Sequence, residues 1–544
     1  MTGAWQKPGR IVTVGSIVAG GLFMLAAVSI AALVVIATEP NMLSAEGDAE
    51  TNARGYILHV AWFSTMQAAL SAFLAFVVAL PVARACWRRS VAWKAHLLVL
   101  FSFLPVVLPT TVAASGLIGL WGHSGVLSNV LNLLGLASLP PIYGLGGVLL
   151  AHVFFNAPLM LRVLSGAIAG ISAAHWRISA QHGLTSWQRF YLIEWPAIRR
   201  VVPGMLALVF LLCFTSFSLI MMLGGGPSVT TLEVSIYTAL RFDFNLPMAG
   251  KLAVLQLCIC AIVVMFLAFF TGPSWAAASA RRMNFTQKGE SSLTARLLDT
   301  AILLLFIMLA VLPVLVVMWR GISSHLITVL TWPTFYQAAA SSMIIAIASG
   351  TLATILALTL ATARTVRVNA GMSVWGIDVS ISLYLAVSAI VLGTGLFILL
   401  RSVTDIFLIS PILVLLANML VALPFAYRVI EGRLSTLAKS HDRLCAGLDV
   451  RGWRRFRLIT LPALAPELGY AAGLSAALSL GDMTVIALFG SQQFQTLPWL
   501  LYQTMSRYRS GEAAALALLL LCLTFVIFMI HVGLARRLSR PKTN

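Results

Sequence analysis

The chain has 544 residues, 60% of them hydrophobic and 10% charged, with a formal net charge of +19 and a mean hydropathy of +0.95. Soluble globular proteins carry about 25% charged residues, so this composition excludes a water-soluble fold and indicates an all-α polytopic membrane protein. Apolar runs long enough to cross a hydrocarbon core of about 30 Å as helix fall near residues 11–37, 57–83, 97–120, 144–165, 201–223, 252–272, 300–319, 336–361, 374–400, 407–427, 463–489 and 513–535, twelve spans in all. The first follows Lys7 and Arg10 but far exceeds the apolar core of a signal peptide, and reads as a retained anchor. The third, fourth, ninth and eleventh contain Pro, Gly or charged residues and are candidates for broken or re-entrant helices.

Basic residues orient the spans. With the N-terminus inside, the cytoplasmic segments hold 29 of the 36 lysines and arginines, and both termini are cytoplasmic. The outer side keeps Arg54, Arg241, Lys251, Arg320, Arg401, Arg507 and Arg509, while the first outer loop carries Glu39, Glu46, Asp48 and Glu50. The positive charge is thus an expression of topology, and no nucleic-acid partner is expected. The six cysteines form no CxxC pair and the nine histidines no HExxH spacing, so neither metal nor cofactor is expected. Cys258 and Cys260 point to different faces of one helix.

An internal repeat sets the architecture. At an offset of 266, Leu150 matches Leu416, Pro158 matches Pro424, Arg162 matches Arg428 and His175 matches His441. The pairing continues through Arg177 and Arg443, Ala180 and Ala446, Trp187 and Trp453, Arg189 and Arg455, Phe190 and Phe456, Ile193 and Ile459, and Pro196 and Pro462. Beyond it the offset slips to 265, where Gly225 matches Gly490 and Tyr237 matches Tyr502. Residues 1–272 and 300–544 therefore read as two six-helix units facing the same way, related by an axis along the membrane normal, with 273–299 as a polar cytoplasmic linker.

The repeated segments, 172–196 and 438–462, are polar, basic and cytoplasmic. In the first, residues 172–182 can form a short helix that Gly183 ends in the left-handed conformation. Thr185 to Gln188 has the T-x-x-Q spacing of a capping box that starts a second helix. Trp187, Phe190 and Ile193 then share one face, as do Trp453, Phe456 and Ile459, and Pro196 sits where a helix starts. One such segment would be read as an amphipathic helix in the headgroups. Two matched copies suggest a docking surface presented once per half.

This loop resembles the EAA loop of ABC importer permeases, whose pattern puts a Gly thirteen residues before a Pro, as Gly183 and Pro196 stand here. In the second copy that position is Asp449, which tolerates the left-handed turn better than most residues. The segments YGLGGVLLAHVFFNAPLMLRVL and LSLGDMTVIALFGSQQFQTLPWLLYQTMSRYRS are similar to thiamine permeases of that family, within a wider group that includes ferric iron and polyamine permeases. The resemblance implies a type I importer fold and a translocation subunit in the bacterial inner membrane. It also implies two copies of an ABC ATPase subunit docked on the two loops, and a periplasmic or extracellular solute-binding protein above. The sequence has no GxxxxGK[ST] segment, so ATP hydrolysis is expected from a partner chain.

Polar groups inside spans are costly and default to functional candidates. Asp482 in the eleventh span is either a pathway group for a cationic solute or a carboxylate that holds the bundle through Ser479 or Thr484. His152, Asn156 and Asn418 are pathway candidates that also suit interhelical hydrogen bonding. Glu467 and Asp378 lie near cytoplasmic ends and are expected to be solvated. On the outer side Tyr237, Trp499 and Tyr502 either meet the binding protein or act as interface anchors. An ion-driven secondary transporter would want several coupled intramembrane carboxylates, and a membrane enzyme a clustered site at one face; the sequence displays neither.

Overall fold

The computed structural model describes residues 9–38, 47–88, 108–135, 140–226, 229–270, 293–448, 450 and 452–539. The first half contains α1 (Gly9–Thr38), α2 (Gly47–Arg88), α3 (Thr110–Trp121), α4 (Val126–Leu133), α5 (Leu145–Ala169), α6 (Ala173–Gln181), α7 (Ser186–Arg189), a π-helical turn (Phe190–Glu194), α8 (Trp195–Ile198), α9 (Val202–Phe214), α10 (Ser218–Leu223), α11 (Leu232–Arg241) and α12 (Leu246–Phe270). The second contains α13 (Leu293–Gly321), α14 (Ser324–Leu330), α15 (Pro333–Asn369), α16 (Trp375–Ala386), α17 (Ala389–Leu400), α18 (Ile406–Gly447), α19 (Gly452–Arg455), a π-helical turn (Phe456–Thr460), α20 (Leu461–Gly481), α21 (Thr484–Phe489), α22 (Leu497–Ser506) and α23 (Ser510–Ser539). Most of the expected linker lies outside the described residues; from Leu293 onward it is already α13.

Eight expected runs are single helices long and apolar enough to cross a membrane: α1, α2, α5, α12, α13, α15, α18 and α23. Among the described residues the third, fifth, ninth and eleventh are not. The ninth folds back by 97° between α16 and α17, and the eleventh stops at Gly481, passes through extended Asp482 and resumes as α21. Two expectations need correction. The fourth run stays one continuous helix in spite of Pro158, and the fifth, which carried no warning Pro or Gly at its middle, breaks between Phe214 and Ser218. Within the third, residues 97–107 lie outside the described set, and the described helix is α3.

A break in a hydrocarbon environment frees backbone groups that no water can satisfy, so neighbouring side chains must serve them. Gln67 Nε2 donates to the Cys213 carbonyl at 3.2 Å before the first break. In the second half Asn418 Nδ2 donates to the Ser479 carbonyl at 3.4 Å, and the Asp482 carboxylate accepts from Thr484 N at 3.1 Å and Val485 N at 3.3 Å.

Lipid tails are as apolar as leucine, so helices associate through close packing of small residues and polar contacts. On α2, Ala68, Ala72, Ala75 and Ala79 form a buried stripe at helical spacing; on α15 the stripe returns as Ala346, Gly350, Ala353 and Ala357. Each half also lends its first helix to the other. Besides α12 of its own half, α1 packs against α15, α16 and α17, while α13 packs against α23 and, across the molecule, α3 and α2. Glycines permit the close approach: a Cβ on Gly116 of α3 would lie 2.5 Å from the Pro313 carbonyl oxygen, and one on Gly395 of α17 would lie 2.8 Å from that of Ser29. Hydroxyls reinforce the exchange, Ser380 Oγ donating to the Ala19 carbonyl at 3.0 Å and Tyr384 Oη to that of Leu22 at 2.8 Å.

Candidate functional site

The first repeated loop is a built object. After α6 the chain makes two bonds that close a helix C-terminus, Leu184 N to Ser179 O at 3.1 Å and Gly183 N to Ala180 O at 3.2 Å, with Gly183 at φ +62°. The capping box then forms in both directions: Thr185 N donates to Gln188 Oε1 at 2.9 Å, and Gln188 N to Thr185 Oγ1 at 3.4 Å. Arg177 and Ala180 lie on α6, and Pro196 opens α8. Arg189 is drawn back over the turn, its Nε donating to the Leu184 carbonyl at 2.8 Å.

The second loop reproduces the turn by a different route. Here α18 runs unbroken from the membrane helix to Gly447, and Val450 N then donates to Cys445 O at 3.0 Å. These two residues stand 266 positions after Leu184 and Ser179, so the terminating bond is repeated. Asp449 lies outside the described residues, as do the side chains of Arg443, Ala446 and Trp453. Arg455 is buried, Phe456 and Ile459 are half-buried, and Pro462 sits in the first turn of α20.

Between cap and membrane helix both loops carry a π-helical turn, 190–194 and 456–460, again 266 apart. Such turns widen the helix and recur at functional sites. The wider turn alters the expected ridge. Phe190 and Ile193 are half-buried, and the exposed apolar face is Trp187, Tyr191 and Leu192, at 70%, 64% and 58% exposure, with Leu458 at 66% in the position matching Leu192.

The first loop is fastened to both halves. Arg84, at the end of α2, pairs with Glu194 at 2.6 Å and stands over the Phe190 ring at 4.3 Å, and Trp87 stacks on Trp176 at 5.4 Å. One turn on, Arg88 bonds Asp299 of α13 through two nitrogens and reaches Ser186 Oγ at 3.5 Å. Arg364, near the end of α15, pairs with Asp378 at 2.7 Å and Glu431 at 3.2 Å, while Glu467 meets Arg433 at 3.5 Å. Asp378 and Glu467, expected to be solvated, are therefore ion-paired. These arginines and Asp299 escaped the sequence reading because their partners lie about 14 to 211 residues away.

The pathway candidates divide into two matched groups that hold the helix breaks. His152 Nδ1 meets Ser71 Oγ at 2.9 Å, and Asn156 Nδ2 donates to the His152 carbonyl at 2.9 Å and to Cys213 Sγ at 3.4 Å. Asn418 Nδ2 donates to Ser479 Oγ at 2.9 Å, one turn before Asp482. The two asparagines thus grip equivalent residues, Cys213 and Ser479, near the ends of α9 and α20. Asp482, by capping α21, has a structural duty of its own.

Tyr237 is 3% exposed, wedged between Phe217 and Phe242, whereas Trp499 and Tyr502 stack on each other half-buried. Phe242, Phe244 and Tyr508 are exposed. Phe244 and Tyr508, at φ 51° and 59°, occupy the same turn in the two halves, just before α12 and α23. Arg241 Nη2 donates to the Gly490 carbonyl at 2.9 Å and links the two halves. The sequence reading also passed over Glu233 and Gln256, which are completely buried at the junction of the halves.

Residues 373–540 match the family described as binding-protein-dependent transport system inner membrane component. The thiamine transport system permease protein ThiP of Brucella abortus (strain 2308) is 38% identical over 530 residues, covering 96% of this chain and 96% of that protein. The protein of the same description from Escherichia coli (strain K12) is 36% identical over 477 residues, 87% of this chain and 88% of that one. That of Haemophilus influenzae (strain ATCC 51907 / DSM 11121 / KW20 / Rd) is 37% identical over 494 residues, with 87% and 88% covered. With 38% identity over 96% of both chains, the chain belongs to the family of thiamine transport system permease proteins, the membrane-embedded permeases of binding-protein-dependent transport.

Proposed function

We propose that this permease carries thiamine or its phosphates into the cytoplasm by alternating access, with two copies of an ABC ATPase subunit on the repeated loops and one solute-binding protein on the opposite face. The observation that carries the reading is the matched pair of loops: the same terminating bond and the same π-helical turn recur at an offset of 266, which suits a motor that binds twice. Residues 1–272 and 300–544 would then be the two permease units, with both termini on the cytoplasmic side.

The contacts of the first loop suit the transmission of force. A displacement of α7 acts on α2 through Arg84, and on α13 through Arg88 and Asp299. Because α13 belongs to the second half yet packs on α3 and α2, a push at one loop reaches both halves. The energy enters as binding and hydrolysis on the partner chain, and the permease converts it into a change of packing.

Reconstitution tests this. The permease in proteoliposomes with its ATPase subunit and binding protein should accumulate labelled thiamine only when ATP and both partners are present. Uptake by the permease alone under a proton or sodium gradient would overturn the proposal.

A further inference from the structure

At the junction of the halves, α11 and α12 of the first half meet α17 and α21 of the second. Glu233, in the first turn of α11, and Gln256 of α12 are both 0% exposed. Gln256 Nε2 donates to Glu233 Oε1 and to Ser388 Oγ, the latter at 3.1 Å, and Ser388 caps α17 at the bend of the ninth run. α11 also packs against α21, the helix that Asp482 caps. Two acceptors in this cluster, Glu233 Oε2 and Gln256 Oε1, are buried with no hydrogen-bond partner among the described residues. Buried polar groups are nearly always paired, and each exception calls for an explanation.

The internal repeat shows whether the fold itself requires this cluster. The anchors of the two equivalent helices are kept: Leu232 N donates to Ser64 Oγ at 2.9 Å, and Leu497 N to Ser342 Oγ at 2.8 Å. The cluster is not kept. Counting from the starts of the matched helices, Glu233 corresponds to Pro498, Gln256 to Leu520 and Ser388 to Pro109, and across the matched breaks Asp482 corresponds to Ser216. The same architecture therefore closes once with a carboxylate and an amide and once with two prolines and a leucine. Packing does not demand the polar version, and a solute with a charged end would use it on one side only.

We propose that Glu233 and Gln256 form a cation-binding station at the junction of the two halves. Their unpartnered acceptors suit an organic cation that carries an amino group. This rests on the thiamine reading, since thiamine presents an aminopyrimidine and a positively charged thiazolium.

The test uses the complete complex with ATPase subunit and binding protein in proteoliposomes, comparing wild type with Glu233→Gln and Gln256→Leu. Two cargoes are assayed, thiamine and its neutral thiophene isostere. Glu233→Gln keeps the size and the pairing with Gln256 and removes the charge. Its thiamine uptake is expected to fall at least about tenfold, with less effect on the neutral isostere, while binding-protein-stimulated ATP hydrolysis stays within about twofold. An unchanged melting temperature in detergent shows that the variant is folded. Wild-type uptake rates in Glu233→Gln, or an equal loss for both cargoes, would overturn the station. A wild-type complex that moves no thiamine would overturn the substrate reading, and the proposed cargo with it.

Discussion

Replacing Gly183 by valine isolates the turn that shapes the first loop. Gly183 sits at φ +62°, and a Cβ built there meets no atom within 4 Å, so the substitution introduces no clash. Its whole effect is the left-handed backbone, which disfavours a β-branched residue by about 1–2 kcal/mol. Two bonds depend on that conformation, Leu184 N to Ser179 O and Gly183 N to Ala180 O, and the orientation of α7 depends on them. A penalty of that size lowers the share of loops in the docking geometry by a factor of about 5–30, and apparent affinity for a partner falls in proportion to the competent share. Titrating the ATPase subunit against reconstituted permease should therefore show a midpoint about 5–30 times higher for Gly183→Val, with full stimulated activity regained at saturation. Gly183→Asn should lie close to wild type, because Asn visits the left-handed region readily. An unchanged midpoint for the valine variant would refute the docking role of the turn, and loss of membrane insertion would refute its independence from the core.

Three further outcomes are expected. Gly116→Ala and Gly395→Ala each place a methyl within 2.8 Å of a carbonyl oxygen across the exchanged helices, so each should destabilise by about 1–3 kcal/mol, read as a lower melting temperature in detergent. Asp482→Ala removes the carboxylate that accepts from Thr484 N and Val485 N and should lose about 0.5–2 kcal/mol, whereas Asp482→Asn should keep most of the stability. Phe244→Gly and Tyr508→Gly remove two exposed rings held at positive φ; relief of strain should leave the melting temperature level or higher, while stimulation of ATP hydrolysis by the binding protein falls.

What could be read from the sequence was local and hydrophilic. The capping box from Thr185 to Gln188 and the glycine turn are written in a few adjacent residues, and they stand out because the rest of the chain is apolar. The break at Asp482 was signalled by Gly481 and a charge, while the matching break after Phe214 was hidden because Thr215 and Ser216 disturb hydropathy little. The π-helical turns leave no mark in composition, and they displaced the exposed ridge from Phe190 and Ile193 to Tyr191 and Leu192. The exchange of first helices was invisible for a physical reason: in lipid the face of α1 that meets protein and the face that meets acyl chains are equally apolar. Glu233 stood in a stretch that reads as an outer loop, and only the path of α11 into the junction shows it to be buried. The repeated small-residue stripe of α2 and α15 lies at an offset of 278, because the spacing between the halves changes ahead of the fourth run.

The most direct measurement places one photoactivatable cross-linker at a time on cysteines introduced at Leu192 and Leu458, in a permease cleared of its six native cysteines. These exposed leucines occupy equivalent points on the two π-helical turns. Each should capture the ATPase subunit with comparable yield, and neither should react with a membrane-impermeant thiol reagent added outside intact spheroplasts. Capture at one position only, or labelling of either from outside, would contradict the claim that the two loops are equivalent cytoplasmic docking points.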